Sequence, residues 1–263
     1  FMGALRMGPA GAALGTTLAQ TISVIAALLA LRRHPADVRV SRRDFHPQRS
    51  VLARMLRIGL PVAAQDGFIQ VSFILITILA NQRGLTDAAA VGIVEKIMSF
   101  LFLIPSSMLS AVSAIGAQNI GAGKPERVKQ GIREAALLSL SFCAVVSALV
   151  FLFARPLLTL FIDPGEREIL AVGVHYLRVE GVFYVGIGLL FLLYAIYRGL
   201  EQAGMSVVLT VISLGTRVAL AYLLAGPVGE VGIWAAIPIG WALADVTGYV
   251  YYLLRRIRLL PEE

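Results

Sequence analysis

Long runs of apolar residues alternate with short polar, arginine-rich segments along most of the chain. A helix needs roughly 20 mainly apolar residues to cross the ~30 Å hydrocarbon core of a bilayer. Seven runs reach that length, and their apolar residues are continuous rather than alternating with a period of two, which favours helices over barrel strands. The predicted spans are 9–31, 58–80, 88–115, 135–161, 169–197, 205–225 and 232–254. The pattern therefore predicts an all-α integral membrane protein, a bundle of about seven transmembrane helices.

The composition agrees with the pattern. Hydrophobic residues make up 58 % and charged residues 15 % of the 263 positions, and the mean hydropathy is +0.80. A soluble domain is about half apolar and about a quarter charged. This excess excludes most soluble-enzyme classes, and it excludes disorder, which needs low hydrophobicity and high net charge. The lipid bilayer is thus the first partner that the sequence predicts.

The basic residues predict how the helices are oriented. Most of them fall on alternate connections, namely Arg32, Arg33, Arg39, Arg42, Arg43, Arg49, Arg54, Arg57, Lys124, Arg127, Lys129, Arg133, Arg198, Arg255, Arg256 and Arg258. The opposite connections hold Arg83 and Arg167, with Arg155 near a helix end. By the positive-inside rule the richer side is cytoplasmic. The sequence predicts a multi-pass protein of the cell (inner or plasma) membrane with a cytoplasmic C-terminus. Orientation also explains the net charge of +7, so no nucleic-acid partner is expected.

Proline and glycine interrupt several spans away from their ends. They are Pro105, Pro238, Gly181, Gly186, Gly188 and Gly215. Two interpretations stay open at this stage, because such residues serve either close helix packing or a hinge in conformational change.

Ionisable residues inside the spans are costly and usually face a bundle interior or a wet cavity. The candidate residues for a cation or substrate cavity are Asp66, Gln70, Glu95 and Glu180. Candidate charge partners inside the membrane are Arg217, Arg178, Lys96 and Asp245. Structural alternatives stay open: Glu180 with Arg217 as an ion pair, Arg178 snorkelling or pairing with Glu180, and Asp245 partly solvated. Glu95 and Lys96 could equally form structural pairs with neighbouring helices. Asp66 stands out because it has no basic neighbour in sequence and lies one helical turn from Gln70.

The candidate motifs for enzymatic chemistry do not match the patterns that such chemistry requires. The stretch GAQNIGAGKPER lacks the earlier glycine of a phosphate-binding loop, and Pro125 replaces its hydroxyl residue. His34, His46 and His175 have no metal-ligand spacing, and no serine lies in a nucleophile elbow. The sequence therefore predicts neither an enzyme nor a metal site.

The same stretch carries a family resemblance. GAQNIGAGKPERV resembles the Gln-Asn-x-Gly-Ala loop of the multidrug and toxic compound extrusion (MATE) family, through Gln118, Asn119, Gly121 and Ala122. PAGAALGTTLAQ is similar to the start of that family's sixth helix, and LRIGLPVAAQ to the entry of its seventh. IYRGLEQAG, TRVALAYLL and GIWAAIPIGWALAD resemble segments of its tenth, eleventh and twelfth helices. The segments occur in the family's order over nearly the whole chain.

The resemblance implies a fold of twelve helices in two related six-helix lobes, with the substrate cavity between them. Residues 1–31 would then be the last helix of the N-terminal lobe, 32–57 a cytoplasmic connection between lobes, and 58–263 the C-terminal six-helix lobe. The first five helices of such a transporter, the rest of the N-terminal lobe, would be missing from this chain and would be its partner.

The family implies export of cationic or amphipathic compounds in exchange for H⁺ or Na⁺, with no other cofactor. In some branches acidic residues on the seventh and tenth helices form the cation site. The seventh-helix position corresponds to about Ile69, beside Gln70, whereas Asp66 lies nearly a turn earlier; Glu180 is the acidic residue of the tenth helix. Other branches use an aspartate of the N-terminal lobe, so the resemblance leaves the ion open.

Two alternatives accompany this hypothesis. A lipid-linked saccharide flippase of the same superfamily shares the lobe plan, but it would need a larger cationic groove for a pyrophosphate head group. A truncated, non-transporting remnant would instead fold poorly or serve only as an interaction module.

Overall fold

The chain folds into helices throughout its described part. A computed structural model describes residues 7–33, 46 and 48–259, with side chains described up to Arg255. These residues form nine α-helices and no strand: α1 Gly8–Arg33, α2 Arg49–Arg83, α3 Leu85–Leu101, α4 Leu103–Gly121, α5 Pro125–Thr159, α6 Arg167–Val182, α7 Tyr184–Gly199, α8 Ala203–Leu224 and α9 Glu230–Leu259.

The helices account for the predicted membrane spans. Six stretches of the described chain are long and apolar enough to cross a bilayer, α3 with α4 forming one of them. The bent pair of α6 and α7 makes a seventh if it is counted as one span. The predicted all-α membrane bundle is confirmed, although two of its spans are broken helices.

Some helices begin earlier than the sequence predicted. α2 begins at Arg49, inside the segment 32–57 assigned to a connection, and α5 begins at Pro125 rather than near 135. An apolar run marks only the part of a helix inside hydrocarbon, and the backbone continues helical where side chains become polar. Residues 34–45 and 47 of the predicted connection lie outside the described part of the chain.

The chain divides into two compact units, Phe1–Leu52 and Ala53–Glu263. In the first unit α1 is apolar all round, and Gly11 is its buried residue. A helix without a polar face requires lipid or other apolar helices around it. In the second unit α8 packs along α9, α4 along α7, and α5 against both α6 and α7. Tyr176 and Trp234 stack at 4.2 Å between ring centroids in its core.

The break between α3 and α4 has a clear covalent cause. Pro105 has no backbone N–H, so the carbonyl of Leu101, four residues earlier, loses its helical donor. The hydroxyl of Tyr184 donates a hydrogen bond to that Leu101 carbonyl from α7. The ring of Phe102, at the break itself, stacks on Tyr184 with 6.2 Å between centroids and 7° between planes.

The break between α6 and α7 is repaired by a neighbouring helix. The two segments meet at Phe183 with a bend of 49°. Ser147 Oγ of α5 lies 2.6 Å from the carbonyl oxygen of Gly181 and 3.0 Å from that of Val182, so its one O–H can donate to either of them. The two broken spans therefore meet at their breaks, and side chains from neighbouring helices replace the missing backbone donors.

Small residues bring the helices close together. A Cβ at Gly181 would collide with Val150, and one at Gly188 would collide with Cys143. Gly240 of α9 is more constrained, since a Cβ there would overlap the backbone carbonyl of Ser213 on α8. Gly215 has open space around its Cα. For the glycines flagged in the sequence, close packing thus explains Gly181 and Gly188.

We expect Gly240→Ala to destabilise the protein by about 1–3 kcal/mol, the usual cost of overpacking. The added methyl must push α8 and α9 apart, because the obstacle is backbone. Thermal unfolding in detergent measures the effect, with Gly215→Ala of α8 as the matched control. An equal midpoint for the two variants would contradict the close crossing of α8 and α9.

Candidate functional site

A stripe of polar side chains runs along one face of α8. Ser206, Thr210, Ser213 and Arg217 follow one another at spacings of four, three and four residues, and all four are buried. Residues at these spacings share one helix face. Sequence reasoning singled out only Arg217, although this spacing already placed the four residues on one side of α8.

Two residues of this stripe, Ser213 and Arg217, line a cavity. Its volume is about 90 Å³, and it is lined by Ile69, Phe73, Phe102, Glu180, Ile187, Leu190, Phe191, Tyr194, Ser213, Leu214, Arg217 and Trp241. Five of these side chains are aromatic, and two are charged. The cavity therefore combines aromatic walls with one carboxylate and one guanidinium. Ile69, at the position where the family resemblance places an acidic residue of the seventh helix, is part of the wall.

The two charged groups of the cavity are buried without a direct ion pair. Glu180 is 5 % and Arg217 4 % exposed. They interact electrostatically, and Tyr176, one turn before Glu180 on α6, forms a side-chain hydrogen bond with the carboxylate. Among the described residues, ion pairs with N–O distances up to 4.0 Å are formed by Arg83 with Asp87 and by Lys129 with Glu126.

Hydrogen-bonding capacity in the cavity is left unused. Glu180 Oε2 and the Arg217 atoms Nε and Nη2 are buried without a hydrogen-bond partner in the described structure. The Arg217 guanidinium carbon lies 4.8 Å from the ring centroid of Phe73, a cation–π contact. Burying a polar group without a partner is costly, so such atoms mark a place where a ligand, ion or water improves the energy.

Of the other predicted cavity residues, Glu95 belongs to this electrostatic cluster. Glu95 on α3 is half-buried. Its electrostatic interaction with Arg217 is larger than that with Lys96. Lys96 itself is exposed. Arg217 therefore sits between carboxylates of two helices, which the sequence could not indicate because Glu95 lies far from Arg217 along the chain.

Asp66 and Gln70 lie elsewhere. Both are exposed on α2, and neither lines the cavity that contains Glu180. Asp66 interacts electrostatically with Arg198 of α7, so the aspartate without a basic neighbour in sequence has one in space. The structure does not bring Asp66 and Glu180 together.

A second polar cluster joins α2, α7 and α8. Gln65, which is 1 % exposed, accepts a hydrogen bond at Oε1 from Arg198 Nη2 over 2.8 Å, and Ser206 Oγ lies 3.0 Å from the same oxygen. The hydroxyls of Thr210 and Tyr194 are 2.9 Å apart, and Tyr194 also forms a side-chain hydrogen bond with Gln65. We call these five residues the Gln65 network. Sequence reasoning missed them because uncharged polar residues are common in membrane helices and Arg198 was assigned to a connection.

Two predicted charge partners occupy other positions. Asp245 on α9 is 7 % exposed, with Oδ1 unpartnered and Tyr194 within electrostatic range, so it is buried rather than partly solvated. Arg178 turns away from Glu180 and towards α5, where its Nε donates to the carbonyl of Phe151 over 3.3 Å.

The loop after α4, which carries the family resemblance, has a structural explanation in this chain. Ala122 N–H donates to Gln118 O and ends α4, while the Asn119 side chain donates to Ile115 O over 2.8 Å. Gly123 has φ +65°, a left-handed conformation that favours glycine. Pro125 then begins α5, where its missing N–H costs nothing.

The MatE family model matches residues 61–223. The chain belongs to this family. A probable multidrug resistance protein of Bacillus subtilis (strain 168), YoeA, is 27 % identical over 248 residues, covering 90 % of this chain and 53 % of the relative. A probable multidrug resistance protein of Mesorhizobium japonicum, NorM, is 29 % identical over 266 residues, covering 97 % of this chain and 56 % of the relative.

Solved structures of MATE transporters share the fold. A MOP superfamily transporter from Pyrococcus furiosus superposes with a TM-score of 0.89 at 23 % identity, covering 100 % of this chain and 59 % of that one. An outward-facing multidrug resistance MATE transporter superposes with a TM-score of 0.88 at 24 % identity, over 100 % and 59 % of the two chains.

These relatives define the class of this MatE protein. It is a multi-pass membrane protein of a transporter family, not an enzyme family, and both curated relatives are named probable multidrug resistance proteins. The chain spans about half the length of the curated relatives that it matches. The family resemblance recognised in the sequence is confirmed.

We expect Gln65→Leu to lower the stability of the bundle by about 1–3 kcal/mol, since the substitution leaves Arg198 and Ser206 without their shared acceptor. Thermal unfolding in detergent measures this loss. Gln70→Leu on the exposed face of α2 is the matched control and should change stability by less than ~0.5 kcal/mol. A larger loss for the Gln70 variant would refute the role of the Gln65 network.

Proposed function

We propose that this chain is the C-terminal part of a multidrug efflux antiporter that exports cationic or amphipathic compounds by alternating access, in exchange for H⁺ or Na⁺. Residues 58–263 form its C-terminal six-helix lobe, residues 1–31 the last helix of its N-terminal lobe, and 32–57 the connection. The remaining helices of the N-terminal lobe complete the transporter.

The observation that carries the proposal is the cavity around Glu180 and Arg217. An unpartnered carboxylate oxygen among aromatic rings suits a cation, because the carboxylate supplies charge and ring faces attract organic cations. A site of this kind also suits a small coupling ion, since H⁺ or Na⁺ neutralises the buried charge.

Electrostatic competition gives the mechanism of coupling. Without a bound cation, Arg217 is a positive group near both Glu180 and Glu95, and Lys96 is a second one near Glu95. A proton or Na⁺ at Glu180 weakens that attraction and so changes the relative free energies of the cavity orientations. A ligand shifts such an equilibrium only through its differential affinity for the two states. Binding of substrate and of the coupling ion to one carboxylate would make their occupancy mutually exclusive, as exchange requires.

The broken spans support movement of this region. Phe102, at the α3–α4 break, lines the cavity, and the α6–α7 break lies three residues after Glu180. Discontinuous helices next to a binding site are a recurring feature of secondary transporters.

We expect Glu180→Gln in the full-length parent transporter to abolish ion-dependent efflux. The amide keeps the size and hydrogen-bonding groups of the side chain but can neither bind a proton at neutral pH nor supply charge to Na⁺. Uptake of a fluorescent organic cation into inverted vesicles, with and without an imposed H⁺ or Na⁺ gradient, measures the coupling.

Glu134→Gln is the matched control, because Glu134 is an exposed carboxylate that accepts a hydrogen bond from Gln130. It should leave gradient-dependent uptake unchanged. Asp66→Asn combined with Glu180→Gln tests both acidic candidates together. Unaltered ion-coupled transport in that double variant would remove both residues from the mechanism.

We also propose the orientation that the basic residues predict, with the α4–α5 loop and the C-terminus in the cytoplasm. In intact cells a membrane-impermeant maleimide should label Glu166→Cys before α6 but not Lys124→Cys, which should react only after permeabilisation. Cys143 is 1 % exposed and should not be labelled in either experiment. The reverse labelling pattern would contradict this orientation and indicate the opposite one.

A further inference from the structure

Three arginines line one cleft between the end of α5 and α6. The cleft has a volume of about 400 Å³ and is lined by Arg155, Arg167, Leu170, Ala171, Val174 and Arg178. It lies at the end of the bundle that the charge distribution predicts to be poor in basic residues. Arg155 and Arg167 are among the few basic residues at that end, and both line this cleft.

Among the described residues, none that lines the cleft is acidic. The ion pairs within the described residues, Arg83–Asp87 and Lys129–Glu126, lie elsewhere, so none of the three guanidinium groups has a described carboxylate within 4.0 Å. Three like charges around one cleft repel one another, and an anion between them would remove that repulsion.

Arg178 is held in place by contacts with the kinked part of α5. Phe153 has non-helical torsions (φ −106°, ψ 19°) shortly before Pro156. Arg178 Nε donates to the carbonyl of Phe151 on the same stretch, and its guanidinium carbon lies 5.3 Å from the Phe151 ring centroid. A guanidinium has five N–H donors, so four remain after this bond. Arg178 is thereby oriented with most of its donors free.

The arrangement of the arginines matches an amphiphile rather than a small solute. Arg167 and Arg178 are eleven residues apart on α6, about 16 Å along its axis. Helical side chains lean towards the N-terminus, so Arg167 and Arg178 lean the same way and stay about this far apart along the axis. Between them Leu170, Ala171 and Val174 provide an apolar wall, and Leu152 of α5 is an exposed apolar neighbour in sequence of Phe151.

We propose that this cleft binds an anionic phospholipid, with its head-group phosphate held by guanidinium groups of the cleft and an acyl chain along the apolar wall of α6. Guanidinium forks match phosphate oxygens in bidentate geometry. The site is separate from the Glu180 cavity, with which it shares no lining residue. The proposal does not depend on which ion or compound is transported.

The test measures lipid binding to the full-length parent transporter in detergent. Thermal unfolding is followed during titration with dioleoylphosphatidylglycerol, with dioleoylphosphatidylcholine or with inorganic phosphate. Phosphatidylglycerol should raise the midpoint saturably and at lower concentration than phosphatidylcholine, while inorganic phosphate at the same concentration should have no effect.

Arg155→Gln and Arg167→Gln should each raise the apparent dissociation constant for phosphatidylglycerol about fivefold, and together about 25-fold. Arg133→Gln is the matched control, since Arg133 is an exposed arginine near the opposite end of α5. The single variants at exposed positions keep the test valid if the double variant does not fold.

Three results would overturn the proposal. Equal affinity of the wild-type transporter for phosphatidylglycerol and phosphatidylcholine would show that the arginines do not select an anionic head group. A midpoint shift by inorganic phosphate equal to that by the lipid would identify a soluble-anion site instead. Loss of phosphatidylglycerol binding in Arg133→Gln as large as in the cleft variants would assign the effect to overall charge.

Discussion

Backbone groups inside hydrocarbon have no water to bond with, so a transmembrane helix can break only where another group satisfies the freed carbonyls. This constraint shapes the bundle. Tyr184 donates to the Leu101 carbonyl that Pro105 leaves without a partner, and the Ser147 hydroxyl is within reach of the carbonyls of Gly181 and Val182. Both donors lie far from their acceptors in sequence. The packing of α5, α7 and the two breaks is therefore one interdependent arrangement, and the aromatic cavity lies beside it.

The polar interior separates into a mainly hydrogen-bonded part and a part with several unpartnered charged atoms. The Gln65 network is hydrogen-bonded across three helices, although Arg198 Nε is buried without a described partner. Around Glu180 fewer hydrogen bonds are made, since Glu180 Oε2 and two Arg217 nitrogens have no described partner. Hydrogen bonds that link α2 to α7 and α8 thus lie next to a site whose charges are free to exchange partners.

Much of the fold followed from the length of the apolar runs, because the bilayer sets a minimum length for each span. The breaks were harder to predict. Pro105 marked one, but Phe183 has no proline near it, and its repair depends on Ser147 of another helix. Glu180 was found because a charge inside an apolar run is conspicuous. Asp66 was as conspicuous, and only the structure shows that it lies outside the Glu180 cavity. Thr210 and Tyr194 carry no such signal.

The glycines at the helix crossings also constrain how the sequence can diverge. The thiol of Cys143 fills the space where a side chain at position 188 would be, and Val150 does the same for position 181. A larger residue at either glycine is compatible with the fold only if its neighbour on α5 becomes smaller. Positions 143 and 188, and positions 150 and 181, should therefore change in pairs, so that covariation among relatives would record the contact between α5 and the broken span of α6 and α7.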